Sequence, residues 1–72
     1  MYYVESIEGN HVIINNIESS DLYWICKATG IKEVTGAAIT NEDKLVVTGS
    51  EGKSKMYDLK TKKLIKIIEE KK

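Results

Sequence analysis

Residues that crosslink a chain or ligate metals are scarce in this 72-residue sequence, which contains one cysteine and one histidine. Cys26 has no second cysteine to pair with in the chain, and together with His11 it cannot supply the four ligands of a structural zinc site. A chain this short buries only about 60% of its unfolded surface. Small domains usually gain the missing stability from disulfides, metals or oligomerisation. The sequence therefore favours oligomerisation and predicts no metal and no other cofactor.

Arginine is also absent, so all eleven basic residues are lysines, and eleven acidic residues balance them. Residues 1–34 carry two lysines against five acids, and residues 35–72 carry nine lysines against six acids, giving −3 and +3. Arginine supplies the bidentate contacts that recognise phosphate and guanine, so its absence argues against sequence-specific nucleic-acid recognition. Nonspecific binding of nucleic acid through the lysine-rich C-terminal half is the alternative function, with these candidate residues: Lys53, Lys55, Lys62 and Lys63.

Proline and long apolar runs are missing as well. No apolar run approaches the ~20 residues that a transmembrane helix needs. The first ten residues, MYYVESIEGN, lack both the basic start and the apolar run of a signal peptide. A lone cysteine also suits a reducing compartment. We therefore expect a soluble, cytoplasmic protein that does not bind membranes.

Short runs rich in β-branched and aromatic residues make up most of the sequence, and turn-forming clusters separate them every ~8–12 residues. This pattern predicts one small all-β domain over residues 1–72, an antiparallel meander of about eight short strands. The predicted strands are 2–7, 11–15, 22–27, 31–34, 37–40, 44–49, 54–59 and 63–68. A small barrel or two packed sheets would each accommodate them.

The last of these strands has a helical alternative. Leu64, Ile67 and Ile68 follow the i, i+3, i+4 spacing of an amphipathic helix. The β-branched isoleucines favour a strand, however, and no capping box precedes the run. We predict a strand here, with a short C-terminal helix as the alternative.

The chain also resembles itself at an offset of 33 residues. Val12–Ile14 falls on Leu45–Val47, Trp24 falls on Tyr57, and the agreement is one of residue class more than of identity. Unrelated β-meanders of similar spacing would produce part of this agreement. The pattern predicts two repeats, at residues 4–34 and 37–67.

Within the second repeat, KLVVTGSEGKSKMYDLKTKKLIKII (44–68) resembles one blade of a β-propeller of the WD-repeat type. Tyr57-Asp58 stands at the Trp-Asp position, and the preceding GAAIT would form an inner strand. Neither repeat carries the Gly-His pair typical of that family. The resemblance implies a four-stranded blade, and since a ring needs typically 4–8 blades, it implies either assembly of several chains or sheets that pack within one chain.

The segment GSEGKS (49–54) ends like a nucleotide-binding phosphate loop. That motif requires a glycine at position 47, where this chain has Val47, and a helix after the loop. The segment instead predicts a hairpin turn in which Gly52 adopts positive φ and Gly49 permits a bulge.

No catalytic constellation is apparent in the sequence. His11 has no orienting partner or nucleophile at a recognisable spacing. Cys26 lies in the apolar run YWIC, where cysteine usually serves as a small hydrophobe. The carboxylates are scattered in turns without forming an acid–base pair. We therefore predict that the protein is not an enzyme.

The aromatic pair Tyr23 and Trp24 is the candidate protein-binding site. Neighbours on a strand point to opposite sides, so one ring could enter the core while the other faces a partner; the alternative is that both rings belong to the core. Aromatic residues are enriched at interface hot spots. The sequence as a whole predicts a small non-enzymatic interaction or assembly module that self-associates through a strand edge or through the Trp24 region.

Overall fold

Seven β-strands in two antiparallel sheets make up the computed structural model, which describes residues 1–69. The N-terminal sheet has the strand order β1-β2-β3, with the bounds Tyr2–Glu8, His11–Asn16 and Leu22–Lys27. The C-terminal sheet has the order β4-β5-β6-β7, with the bounds Val34–Ile39, Lys44–Gly49, Lys53–Asp58 and Lys63–Glu69. The two sheets pack as a small sandwich rather than closing into a barrel. The predicted all-β class is confirmed.

Alternating burial in the central strands builds the core between the sheets. Val12 and Ile14 of β2 and Leu45 and Val47 of β5 are fully buried, because every second side chain of a strand points to the same face. We call the faces that meet in this core the inner faces. The other buried residues are Cys26, Ala28, Ile31, Val34, Tyr57 and Leu59.

The sheets contact each other at both sides of the sandwich. Strand β1 lies against β4. At the other side β3 lies over β6, where Trp24 meets the edge of the Tyr57 ring at a centroid distance of 5.8 Å. The N-terminal sheet has no further strand beyond β3, so β7 extends past it.

The predicted strand at 31–34 is wrong, and so is the break that separated it from 37–40. Residues 31–33 are not part of a strand, residues 32 and 33 form a bend, and one strand runs from Val34 through Gly36 to Ile39. The bend bonds to a turn rather than to a strand: the Ser50 amide donates to the main-chain oxygen of Glu33 at 3.1 Å. Ile31 is apolar because it is buried between the sheets, not because it belongs to a strand.

The GSEGKS segment forms a single 3₁₀ turn, Ser50–Gly52, that leads into β6. Gly52 has a φ of +71°, which confirms its predicted role, and Glu51 also adopts positive φ at +74°. The prediction for Gly49 is wrong. Gly49 is extended, a Cβ there would overlap the side chain of Ile31, and the irregular pairing lies opposite it on β4. Gly49 therefore permits close approach of Ile31.

The C-terminal segment 63–69 is a strand, which excludes the helical alternative for it. Its backbone pairs with β6 along the whole length of that strand. Among residues 1–69 there is no helix with the length and apolar character that a bilayer crossing requires.

Candidate protein-interaction surface

Strand β7 is exposed at every described residue, although more than half of its side chains are apolar. Leu64, Ile65, Ile67 and Ile68 each leave between 38% and 55% of their surface in contact with solvent. One edge of β7 pairs with β6, and the other edge has no strand beside it in residues 1–69. Exposed apolar side chains beside an unpaired backbone edge are typical of a site that binds another chain.

Pairing with β6 directs two of these side chains toward the inner face. Leu64 lies opposite Tyr57, and Ile67 lies opposite Lys55. Tyr57 belongs to the buried core, so Leu64 and Ile67 extend the core surface outward by one strand. No strand of the N-terminal sheet covers them.

The outer face of β7 is also partly apolar. Ile68 lies opposite Ser54 on that face, while Lys66 lies opposite Met56. The pairing shifts between Met56 and Tyr57, which leaves Ile65 as the additional residue of a bulge. Both faces of β7 therefore present apolar side chains at an open edge.

Strand β3 is the edge strand of the N-terminal sheet at the same side of the sandwich. Its Leu22 and Ile25 are exposed, and Ile25 lies opposite Ile13 on the outer face. Apart from Met1, Tyr3 and Ile17, every exposed large apolar side chain among the described residues lies on β3 or β7. We call this pair of strands, with the free edges of β3 and β7, the open end.

The predicted binding residue Tyr23 is directed into the sandwich. Its ring stacks on Tyr2 at a centroid distance of 4.2 Å, and its hydroxyl donates to the main-chain oxygen of Leu59 at 2.5 Å. The Lys62 ammonium lies 4.7 Å from the centre of the same ring. Burial, followed by the contact with Tyr2, raises the pKa of Tyr23.

Trp24, the second predicted binding residue, also packs against the core. It lies opposite Ile14 and meets the Tyr57 ring edge-on, with 76° between the ring planes. Both rings pack against the core, as the alternative reading has it. The reading in which Tyr23 and Trp24 point to opposite sides is wrong, because the pairing of β2 with β3 shifts between Ile14 and Asn15. The residues that β3 exposes are their neighbours, Leu22 and Ile25.

The four candidate nucleic-acid-binding lysines occupy two separate places. Lys53 and Lys55 lie in the first half of β6, and the Lys55 ammonium donates to the main-chain oxygen of Thr29. Lys62 lies in the β6–β7 turn and Lys63 begins β7, beyond the other end of β6. The structure thus brings the lysines together in pairs, two of them already engaged within the chain. Nucleic-acid binding stays a prediction.

Two groups with reactive chemistry, Cys26 and Asp58, make contacts within the fold. Cys26 is fully buried, and burial raises the pKa of its thiol to about 11, although Tyr57 and Lys55 lower it in part. Asp58, at the Trp-Asp position of the resemblance, accepts a hydrogen bond from the Lys60 amide at 2.8 Å. That bond, together with Lys44 at 3.4 Å, lowers the pKa of Asp58. The thiolate is therefore disfavoured and the carboxylate holds a turn.

Sequence reasoning predicted a strand edge but did not single out Leu22, Ile25 or the residues of β7, although these segments carry a signal. Every position of LYWIC and most of KLIKII are apolar, which indicates cover on both faces of each strand. No protein-family model, curated protein or solved structure matches this chain. Its function is therefore inferred from the exposed surface.

Proposed function

We propose that this chain is a non-enzymatic protein-interaction and assembly module that self-associates through the open end of its sandwich. The observation that carries the proposal is the exposure of β7 along its whole described length, despite its four apolar side chains. Leaving such surface in water forgoes about 25 cal/mol for each Å² that a partner would bury. Association at this surface would recover that free energy.

Strand addition is the mode of binding that suits the open end. A strand placed beside a free edge forms main-chain hydrogen bonds, and its alternating side chains contact both faces. The edges of β3 and β7 offer these main-chain groups. Lys63, Lys66 and Glu69 supply the charges that commonly protect an edge strand from indiscriminate pairing. The partner must therefore accommodate charges as well as cover isoleucines.

The size of the domain supports the same proposal. A chain of 72 residues has a small core, and it contains no disulfide that would compensate. Oligomerisation would extend the core across the open end. A reducing, cytoplasmic setting suits such a module, since Cys26 is a lone, buried thiol.

The blade resemblance of residues 44–68 belongs to this proposal. The meander β4-β5-β6-β7 has the strand number and antiparallel order that a blade requires, whereas the N-terminal sheet has one strand fewer. We propose that the two sheets are blade-like repeats, the first of them incomplete. Completing that first sheet requires a strand from outside it.

The experiment measures association against concentration by sedimentation velocity, for the natural chain and for two matched variants. Ile67→Lys places a charge on β7, and Ile17→Lys places the same charge in the β2–β3 turn, at a residue of similar exposure (55% and 47%). We expect the natural chain and Ile17→Lys to associate and Ile67→Lys to stay monomeric. Circular dichroism checks that both variants are folded. A monomeric natural chain, or equal loss in both variants, would contradict the proposal.

A further inference from the structure

The two sheets differ in width by one strand, and this difference leaves a defined space at the open end. The aromatic contact between Trp24 and Tyr57 places β3 over β6. Strand β7 therefore lies beneath a position that no strand of the N-terminal sheet fills. Neighbouring strands are about 4.8 Å apart and packed sheets about 10 Å apart, so the space beside β3 and above β7 has the width of one strand.

The surroundings of this space specify the strand that would fill it. Its inner side chains would meet Leu64 and Ile67 of β7, so they must be apolar. Its outer side chains would lie beside Leu22 and Ile25 of β3, so at least one of them must be apolar as well. Its own second edge must be paired or protected.

Strand β7 itself meets these requirements. It carries Leu64 and Ile67 on the inner face and Ile68 on the outer face, and one of its edges is already paired with β6. Resting on the function proposed above, we infer that the partner is a second copy of this chain and that the two copies pair reciprocally. The free edge of β3 in each copy takes β7 of the other copy as its next strand.

Reciprocal pairing produces a closed two-fold dimer. The symmetry axis runs along the strands, between the two β7 strands, and exchanges the upper and lower sheets. Each resulting sheet is continuous over seven strands, three from one copy and four from the other. Leu64 and Ile67 of one β7 face their counterparts across the axis. The interface is isologous and leaves no free edge at the open end, so pairing through the open end stops at two copies.

The charge distribution favours this arrangement. Residues 1–34 sum to −3 and residues 35–72 to +3. Reciprocal pairing joins the acidic sheet of one copy to the basic sheet of the other, twice. Pairing β7 with β7 directly would instead join two basic sheets. It would also leave both β3 edges free and the inner faces of two adjacent β7 strands uncovered.

Disulfide trapping between two differently substituted chains tests the reciprocal arrangement. Ile25→Cys marks the outer face of β3, and Lys63→Cys, Lys66→Cys and Ile68→Cys mark successive outer-face positions of β7. A disulfide requires Cα atoms within about 7 Å, so only adjacent strands crosslink efficiently. Within one chain, position 25 and the three β7 positions lie on opposite outer faces of the sandwich, so a disulfide between them must join two chains. The natural chain, whose Cys26 is buried, measures the background, and Ile17→Cys measures random collision.

We expect crosslinked dimer when Ile25→Cys is mixed with at least one β7 variant, at a yield several-fold above that of either variant alone. Crosslinking of the β7 variants mainly with themselves would indicate β7–β7 pairing. That result, or a dimer that crosslinks at none of these positions, overturns the reciprocal arrangement and leaves the proposed function standing. A natural chain that sediments as a monomer throughout overturns both.

Discussion

The hydroxyl of Tyr23 donates a hydrogen bond to the main-chain oxygen of Leu59, and the two atoms are 2.5 Å apart. This bond joins the edge strand of the N-terminal sheet to the residue that follows β6 in the C-terminal sheet. Leu59 is fully buried, so its oxygen has no ready access to water. The bond therefore holds the two sheets together beside the open end.

Replacing Tyr23 with phenylalanine removes this bond and keeps the ring that stacks on Tyr2. We expect Tyr23→Phe to lower the free energy of unfolding by about 1–2 kcal/mol, because it leaves a buried carbonyl oxygen without a partner. Urea unfolding followed by the fluorescence of Trp24 measures the change.

The matched control is Tyr3→Phe, since the Tyr3 hydroxyl lies at an exposed site and only accepts a 3.3 Å bond from Asn15. Its expected change is within about 0.5 kcal/mol. Equal losses in the two variants would mean that the bond between Tyr23 and Leu59 contributes nothing of its own.

Gly49 permits a contact that no other residue would allow. A Cβ at this position would overlap the Ile31 side chain, so Gly49→Ala is expected to destabilise the protein by about 1–3 kcal/mol. The test is a double-mutant cycle with Ile31→Ala, which makes room for the added methyl group. In that background Gly49→Ala should cost clearly less, and the difference is the coupling energy. Additive effects of the two substitutions would show that the overlap is not the cause.

The buried pair Cys26 and Tyr57 predicts a loss of stability in alkaline solution. Burial raises the pKa of Cys26 from 9.0 to about 11 and that of Tyr57 from 10.0 to about 12. The folded chain therefore binds these protons more tightly than the unfolded chain does. Their contribution to stability is complete below about pH 9 and is lost as the pH rises toward 12.

Urea midpoints measured from neutral to alkaline pH check this prediction. Cys26→Ala should remove the early part of the decline, so that the loss begins about one pH unit later, where Tyr57 starts to titrate in the unfolded chain. For each of the two chains, the urea midpoint at neutral pH is the reference against which its midpoints at higher pH are compared. If both chains decline from the same pH, Cys26 is not the group that titrates.

The strands themselves follow from local features of the sequence. The prediction places β3 and β5 at their observed bounds, and it places β2 and β7 to within one residue at an end. Alternation and β-branched residues are properties of neighbouring positions, so they are visible without the fold. The same is true of Gly52, whose positive φ is a requirement of the turn.

The wrong predictions concern apolar residues whose burial depends on parts of the chain that are distant in sequence. Ile31 packs closely against Gly49, which is far away in sequence and leaves a space for the Ile31 side chain. Tyr23 turns inward because the pairing of β2 with β3 shifts, and the sequence of β3 alone contains no sign of that shift. Register is a relation between two strands, so one strand cannot specify it.

By itself, then, the sequence determined seven of the strands and most of their turns. Only the tertiary structure decided that β3 and β7, which carry most of the exposed large apolar side chains, have free edges and that β7 lacks a covering strand. Local pattern shows which side chains are apolar, but burial depends on what lies opposite them. In this protein three strands lie opposite four, and the unmatched strand is the surface through which we propose that the chain associates.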